Sequence, residues 1–200
     1  MKVLIAEDDP VIALGLVERV RSLGHEAVGP AADGVEAVEL AHADAPDLYL
    51  FDIEMPNLDG LEAAQQLAAD GLRRPVVVVT GVEGESLIER SIASGVGAYL
   101  TKPIDTRELQ AALALSAARH LEFEQLEADV DRAEQALEDR KLVERAKGLL
   151  MAALDLSEQD AFRRLQTTAR ERNLKLAEVA SRIVDQQSLF EPKRKPAQTR

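Results

Sequence analysis

The chain has 200 residues, of which 46% are hydrophobic but only 3% aromatic, with no Trp and no Cys. That is enough for one large or two small domains with an aliphatic core, and it excludes disulfides and thiolate metal sites, as suits a reducing cytoplasm. The net charge of −12 is split: residues 1–120 carry 9 basic and 20 acidic side chains, residues 121–139 carry 1 and 8, and residues 140–200 carry 14 and 8.

Taken in order, the first half alternates short β-rich runs with helical stretches. Residues 3–6, 26–29, 48–51, 76–79 and 97–100 read as five strands, and Val76-Val77-Val78-Val79 is continuously apolar, as a strand covered on both faces must be. The windows 11–23, 34–43, 59–69 and 85–94 are amphipathic and helix-sized, with Gly24, Gly71 and Gly95 where helix ends are wanted. The order βαβαβαβαβα predicts an α/β fold, a doubly wound five-stranded parallel sheet. The start turns acidic at Glu7 too soon for a signal peptide, and no apolar run approaches the roughly 18 residues of a membrane span, so a cytoplasmic protein with no membrane partner is expected.

Past Pro103 the pattern becomes helical only. Asp105 can cap a helix that runs without Gly or Pro to about Gly148. Within it Phe123, Leu126, Val130, Ala133 and Leu137 recur at steps of three and four, a two-heptad seam flanked by charges. Such a seam suits a coiled-coil dimer, or one amphipathic helix packed on its own chain. Ser157 with Asp160 signals a helix over 158–172, Asn173 a stop, and 175–187 a last helix. The expected organisation is therefore an α/β domain over 1–117, a helical linker over 118–139, a small all-α three-helix domain over 140–187 and a disordered basic tail over 188–200.

In an open α/β sheet, function gathers at the carboxyl ends of the strands. There the first strand delivers Glu7, Asp8 and Asp9, the third Asp52, the fourth Thr80-Gly81, and the fifth Tyr99 through Lys102-Pro103. Converging carboxylates repel unless a cation sits among them, and an oxygen-only set without Cys or His suits Mg²⁺. A carboxylate beside Mg²⁺ can attack a phosphoryl donor, with the Thr80 hydroxyl and the Lys102 ammonium as donors to the developing charge and small Gly81 leaving room.

These residues, with Met55-Pro56 and Asp59-Gly60 after Asp52, resemble a response-regulator receiver domain of flavodoxin-like fold. The resemblance implies a sensor histidine kinase as partner and Asp52 as phosphoacceptor, assisted by Thr80 and Lys102. It implies Mg²⁺ held by Asp8, Asp52 and the Glu54 backbone carbonyl, with Glu7 acting through water. Glu7 stands where the family often has Asp. Tyr99 would be the switch residue, turning into space that Thr80 vacates, and the Lys102–Pro103 bond is commonly cis in this family.

The C-terminal part has no His, no paired carboxylates and no Gly-rich phosphate loop, so no catalysis beyond the receiver's own phosphoryl transfer is expected. Its basic side chains include Arg145, Lys147, Arg163, Arg164, Arg170, Arg172 and Lys175. A helix-turn-helix reading is open, although the last helix, with Glu178, Arg182 and Asp185, would make a poor recognition helix. The run Arg140-Lys141-Leu142-Val143-Glu144-Arg145-Ala146-Lys147-Gly148-Leu149-Leu150-Met151, followed by Ala161-Phe162, Leu165, Ala169, Asn173, Leu176, Val179 and Ala180, resembles the ANTAR family of RNA-binding antitermination domains. Arg170 stands where that family often has Met. The resemblance implies RNA hairpins of nascent transcripts as ligand. With almost no aromatics in this part, the seven basic residues would have to carry the contacts, and a homodimer through the seam, formed or released by phosphorylation, would present two such domains to two hairpins. A DNA-binding response regulator and a signalling adaptor with a protein partner are the competing readings.

Overall fold

The computed structural model describes residues 1–81 and 96–188. The helix expected over 85–94, Gly95 and the tail beyond Ser188 lie outside them. Two compact units emerge, Met1–Gln125 and Leu126–Arg200.

In the first unit the strands are β1 Lys2–Ala6, β2 Glu26–Ala31, β3 Leu48–Asp52, β4 Val76–Thr80 and β5 Ala98–Thr101. All pairings are parallel, in the order β2-β1-β3-β4-β5. Both β3 and β4 are buried along their whole length, which explains why their sequences lack polar alternation. Successive side chains go to opposite faces. Leu4, Tyr49, Phe51 and Val78 join one core layer, while Val3, Ile5, Leu48, Leu50, Val77 and Val79 join the other. Each such side chain contributes about 1.5–3 kcal/mol by leaving water. The first layer packs on α2 Gly34–Asp44 and α3 Gly60–Ala69, the second on α1 Pro10–Ser22 and the start of α4 Thr106–Leu154.

Tyr49 and Phe51 stack at 5.2 Å between ring centroids, and the Tyr49 hydroxyl donates to Leu72 O at 2.8 Å. Burial pushes that phenol up to about 12. β2 continues two residues beyond the expected end. Pairing breaks after Leu4 and resumes at Ala6 opposite Ala31, past Gly29, whose φ of 87° and approach to Ile5 O leave no room for a Cβ.

α4, Thr106–Leu154, is 49 residues long. Asp105 caps it, its carboxylate accepting from Arg107 N at 2.7 Å. It runs on past Gly148 to Leu154. Glycine merely costs a helix interior about 1 kcal/mol, and the following Leu149 and Leu150 are held against the core of the second unit.

That second unit adds α5 Glu158–Arg172 and α6 Leu176–Ser188. Ser157 Oγ accepts from Asp160 N at 3.2 Å, and Asn173 ends α5 in the left-handed conformation (φ 52°). Ala146, Leu165, Ala169, Val179, Ala180 and Val184 form the core. No helix among the described residues is long and apolar enough to cross a membrane.

Candidate functional site

The order β2-β1-β3-β4-β5 reverses direction between β1 and β3, and a crevice opens outside their carboxyl ends. Glu7 and Asp8 follow β1, and Asp52 is the last residue of β3. One carboxylate oxygen from each lies within 4.8 Å of the others, with Glu7 and Asp52 buried and Asp8 exposed. Asp9 does other work: its carboxylate accepts from Val11 N and Ile12 N at 2.8 and 3.1 Å, capping α1 and fixing the turn that presents the pair before it.

Lys102 closes the cluster from β5. Its Nζ donates to Asp52 Oδ2 at 2.8 Å and to Glu7 Oε1 at 2.9 Å. Its backbone N–H donates to Thr80 O at 2.8 Å, which locks it to the end of β4. The bond to Pro103 is cis, as is Gly29–Pro30. Burial pushes the Glu7 carboxyl above its ordinary value of 4.5; the hydrogen bond from Lys102 opposes this, and the charge of Asp52 adds to it. Burial acts to lower the Lys102 ammonium, but hydrogen bonds to Asp52 and Glu7 outweigh it and hold the group above 10.5. Three carboxylates and one ammonium leave two negative charges in a small, oxygen-lined crevice. A hard divalent cation matches that donor set, and its charge would offset the repulsion.

Thr80 is fully buried at the end of β4. Tyr99, half-buried on β5, packs on the core layer of Phe51 and Val78. Glu54 N–H donates to Asp52 Oδ1 at 3.3 Å. Two features of the loop after β3 escaped the sequence reading. Asn57, at φ 63°, donates to Asp33 Oδ2 at 2.6 Å and so ties the loop to the cap of α2. Gly60 brings α3 so close that a Cβ there would lie 1.9 Å from Asp52 O. The Asn-Leu-Asp-Gly composition was the available signal for a turn, without showing what it touches.

In the second unit, Arg145, Arg163, Arg164, Arg170, Arg172 and Lys175 are exposed. Arg163 and Arg170, seven residues apart, share the α5 face opposite the buried stripe of Ala161, Leu165 and Ala169. Arg163 reaches Asp160 at 3.5 Å. Lys147 departs from expectation as a phosphate contact. It is 8% exposed, its ammonium lies 2.7 Å from Glu158 and 2.9 Å from Glu144, and it stands 5.9 Å from the centre of the Phe162 ring. Phe162 is 36% exposed because it sits one residue off the buried stripe.

Residues 3–114 match the response regulator receiver domain model, and residues 131–184 match the ANTAR domain model. The transcriptional regulatory protein PdtaR of Mycobacterium tuberculosis is 42% identical over 184 residues, which cover 92% of this chain and 89% of PdtaR. The response regulator MprA of Mycobacterium avium is 35% identical over 113 residues, 56% of this chain and 49% of MprA. Among solved structures, the signal receiver domain of a modulated diguanylate cyclase from Desulfovibrio desulfuricans G20 is 32% identical with a TM-score of 0.55. That match covers 59% of this chain and 94% of the other. The carboxylates of Glu7, Asp8 and Asp52 form the acidic cluster typical of a receiver's Mg²⁺ site. The chain belongs to the response regulators, with an N-terminal receiver domain and a C-terminal ANTAR domain.

Proposed function

We propose that the protein is a phosphorylation-switched transcriptional regulator that binds hairpin RNA in nascent transcripts and acts by antitermination. In this reading Asp52 accepts a phosphoryl group from a sensor histidine kinase. The observation that carries it is the 2.8 Å pairing of Lys102 with Asp52 beside the buried Thr80. An Asp52 carboxylate oxygen forms the new O–P bond as the donor's P–N bond breaks. Lys102, already within reach of both buried carboxylates, takes up the charge on a phosphoryl oxygen, and the Thr80 hydroxyl donates to another. Mg²⁺ would be held by Asp8, Asp52 and the Glu54 carbonyl, with Glu7 acting through water, and would supply further neutralisation of the phosphoryl oxygens. Tyr99 follows Thr80 and reports the change.

Output rests on the ANTAR domain. Arg145, Arg163, Arg164, Arg170, Arg172 and Lys175 are the exposed basic groups proposed to meet RNA phosphates and loop bases. The dimer is proposed to form through Phe123, Leu126, Val130 and Leu137, each 45–57% exposed along α4. Two ANTAR domains on one dimer gain avidity for two hairpins.

The test is binding of a two-hairpin RNA to wild type and Asp52→Ala, each with and without acetyl phosphate and Mg²⁺, with oligomeric state followed in parallel. Phosphorylated wild type alone should dimerise and bind. Failure of every form to bind RNA at low salt overturns the reading in favour of a protein-binding adaptor. A preference for duplex DNA favours a DNA-binding regulator instead.

A further inference from the structure

At the ends of β4 and β5 remote from the carboxylates, the first unit holds a cavity of about 590 Å³. Its walls are the second half of α3, residues 73–76, residues 96–97 and residues 116–123 of α4. From Val76 here to Thr80 at the acidic site is roughly 13 Å of strand, and the two places share no residue.

The cavity is basic within an acidic domain. Residues 1–120 carry only nine basic side chains, yet three of them, Arg73, Arg74 and Arg119, line it, and its described lining contains no carboxylate. Arg74 Nε donates to Pro46 O at 3.2 Å, Arg119 reaches Gly97 O at 3.5 Å, and Arg73 stands 5.7 Å from the centre of the Phe123 ring. Neither Arg74 nor Arg119 has a carboxylate partner among the described residues.

A second observation is independent of charge. Ser116 is 1% exposed, and its hydroxyl has no hydrogen-bond partner among the described residues. Buried hydroxyls are ordinarily satisfied, so one that lines a cavity unpaired is suited to a ligand atom. Gly97 preserves that opening, since a Cβ there would lie 2.8 Å from Ser116 Oγ. Ala64, Ala68 and Val76 supply an apolar stretch of wall, beside the polar Gln65 and His120.

We propose that this cavity binds a small phosphate-bearing molecule with a flat apolar body, of mononucleotide size. Guanidinium forks match phosphate oxygens in pairs, and several of them suit a dianion. Ser116 bonds a polar atom of the ligand, and the body lies against Ala64, Ala68 and the Phe123 side. The volume falls within the usual range for small-molecule pockets. The site shares Phe123 with the proposed dimer seam but no residue with the acidic crevice or with the proposed RNA contacts, and the monophosphate titration tests it without RNA.

The experiment is calorimetric titration of the full chain in Mg²⁺-free buffer with the four common nucleoside monophosphates, and with inorganic phosphate and adenosine as part-ligands. At least one monophosphate should bind saturably below about 1 mM, and about tenfold or more tighter than either part-ligand. Asp52→Ala should bind it equally, which separates the cavity from the acidic crevice. Both variants are checked for wild-type melting; Arg119→Gln should weaken binding by about tenfold, the loss of one charge-assisted contact, and Gly97→Ala should weaken it by crowding the Ser116 hydroxyl. The proposal is overturned by absence of saturable binding, by binding lost in Asp52→Ala, or by binding indifferent to Arg119→Gln and Gly97→Ala together.

Discussion

The Lys102 ammonium bridges Asp52 and Glu7, 2.8 Å from one carboxylate and 2.9 Å from the other, so a single cation serves two buried anions. Removing it leaves two buried carboxylates facing each other. Lys102→Met should therefore lower unfolding stability by about 3 kcal/mol in Mg²⁺-free urea titrations, in line with breaking a buried ion pair from one side. Phosphorylation by acetyl phosphate should slow as well. A variant as stable as wild type would show that Glu7 and Asp52 do not depend on the bridge.

Asp52→Asn should do the reverse to the fold. It leaves Lys102 and Glu7 as a one-to-one pair and removes a like charge from the crevice. In the absence of Mg²⁺ its melting point should equal or exceed that of wild type, while phosphoryl uptake disappears. A clear loss of stability would mean that Asp52 is stabilised by its surroundings as an anion.

Cation binding can be read without any activity. If Asp8 and Asp52 hold Mg²⁺, wild type gains about 1.4 kcal/mol at ten times the dissociation constant. Asp8→Asn should lose that gain while keeping its metal-free stability, because Asp8 is exposed. Equal stabilisation of both proteins would place the ion elsewhere.

In the ANTAR domain, Lys147 joins α4 to the start of α5 through Glu158. That hydrogen bond holds the Glu158 carboxyl below its ordinary 4.5. A lowered carboxylate contributes stability that is fully present above 4.5 and fades as the pH falls through the lower folded value. Hydrogen bonds to Glu158 and Glu144 raise Lys147 above 10.5, so its share persists up to 10.5 and is lost only as the pH rises through that raised value. Glu158→Gln should therefore melt below wild type at neutral pH, with the gap closing in acid. A gap of constant size from neutral pH to well below 4.5 would refute the pairing.

Salt should push the two proposed output steps in opposite directions. In a parallel pairing of two α4 seams, Glu122 of one copy lies opposite Glu127 of the other, and Asp129 opposite Glu134, so the apolar stripe is flanked by like charges. Screening relieves that repulsion, whereas RNA binding weakens as counterion release loses its driving force. Sedimentation should show tighter dimers at higher salt, while filter binding shows weaker RNA complexes. Dimers that dissociate with salt would rule out this seam.

The sheet was legible because β3 and β4 are buried on both faces and the gaps between strands are helix-sized. The acidic site was legible as a set, since strand ends bring Glu7, Asp8, Asp52, Thr80 and Lys102 to one edge whatever the loops do. Within the set, the receiver resemblance assigns the pair to Glu7 and Asp8; Asp8 and Asp9 are the same residue type, and it is the start of α1 that turns Asp9 into a cap. Lys147 was legible as a charge with Glu144 one turn before it, but Glu158 reaches it only after the chain reverses between α4 and α5. The basic cavity could not be read at all, because its arginines stand 45 residues apart and meet only through packing.

Gly60 gives a quick way to screen related chains for working phosphoacceptors. Its missing side chain is what lets the first turn of α3 press on the carbonyl of Asp52, so any larger residue there must push the loop and the aspartate apart. A relative that keeps every acidic residue but has lost this glycine should be suspected of having abandoned phosphorylation, and its output domain of running under some other control.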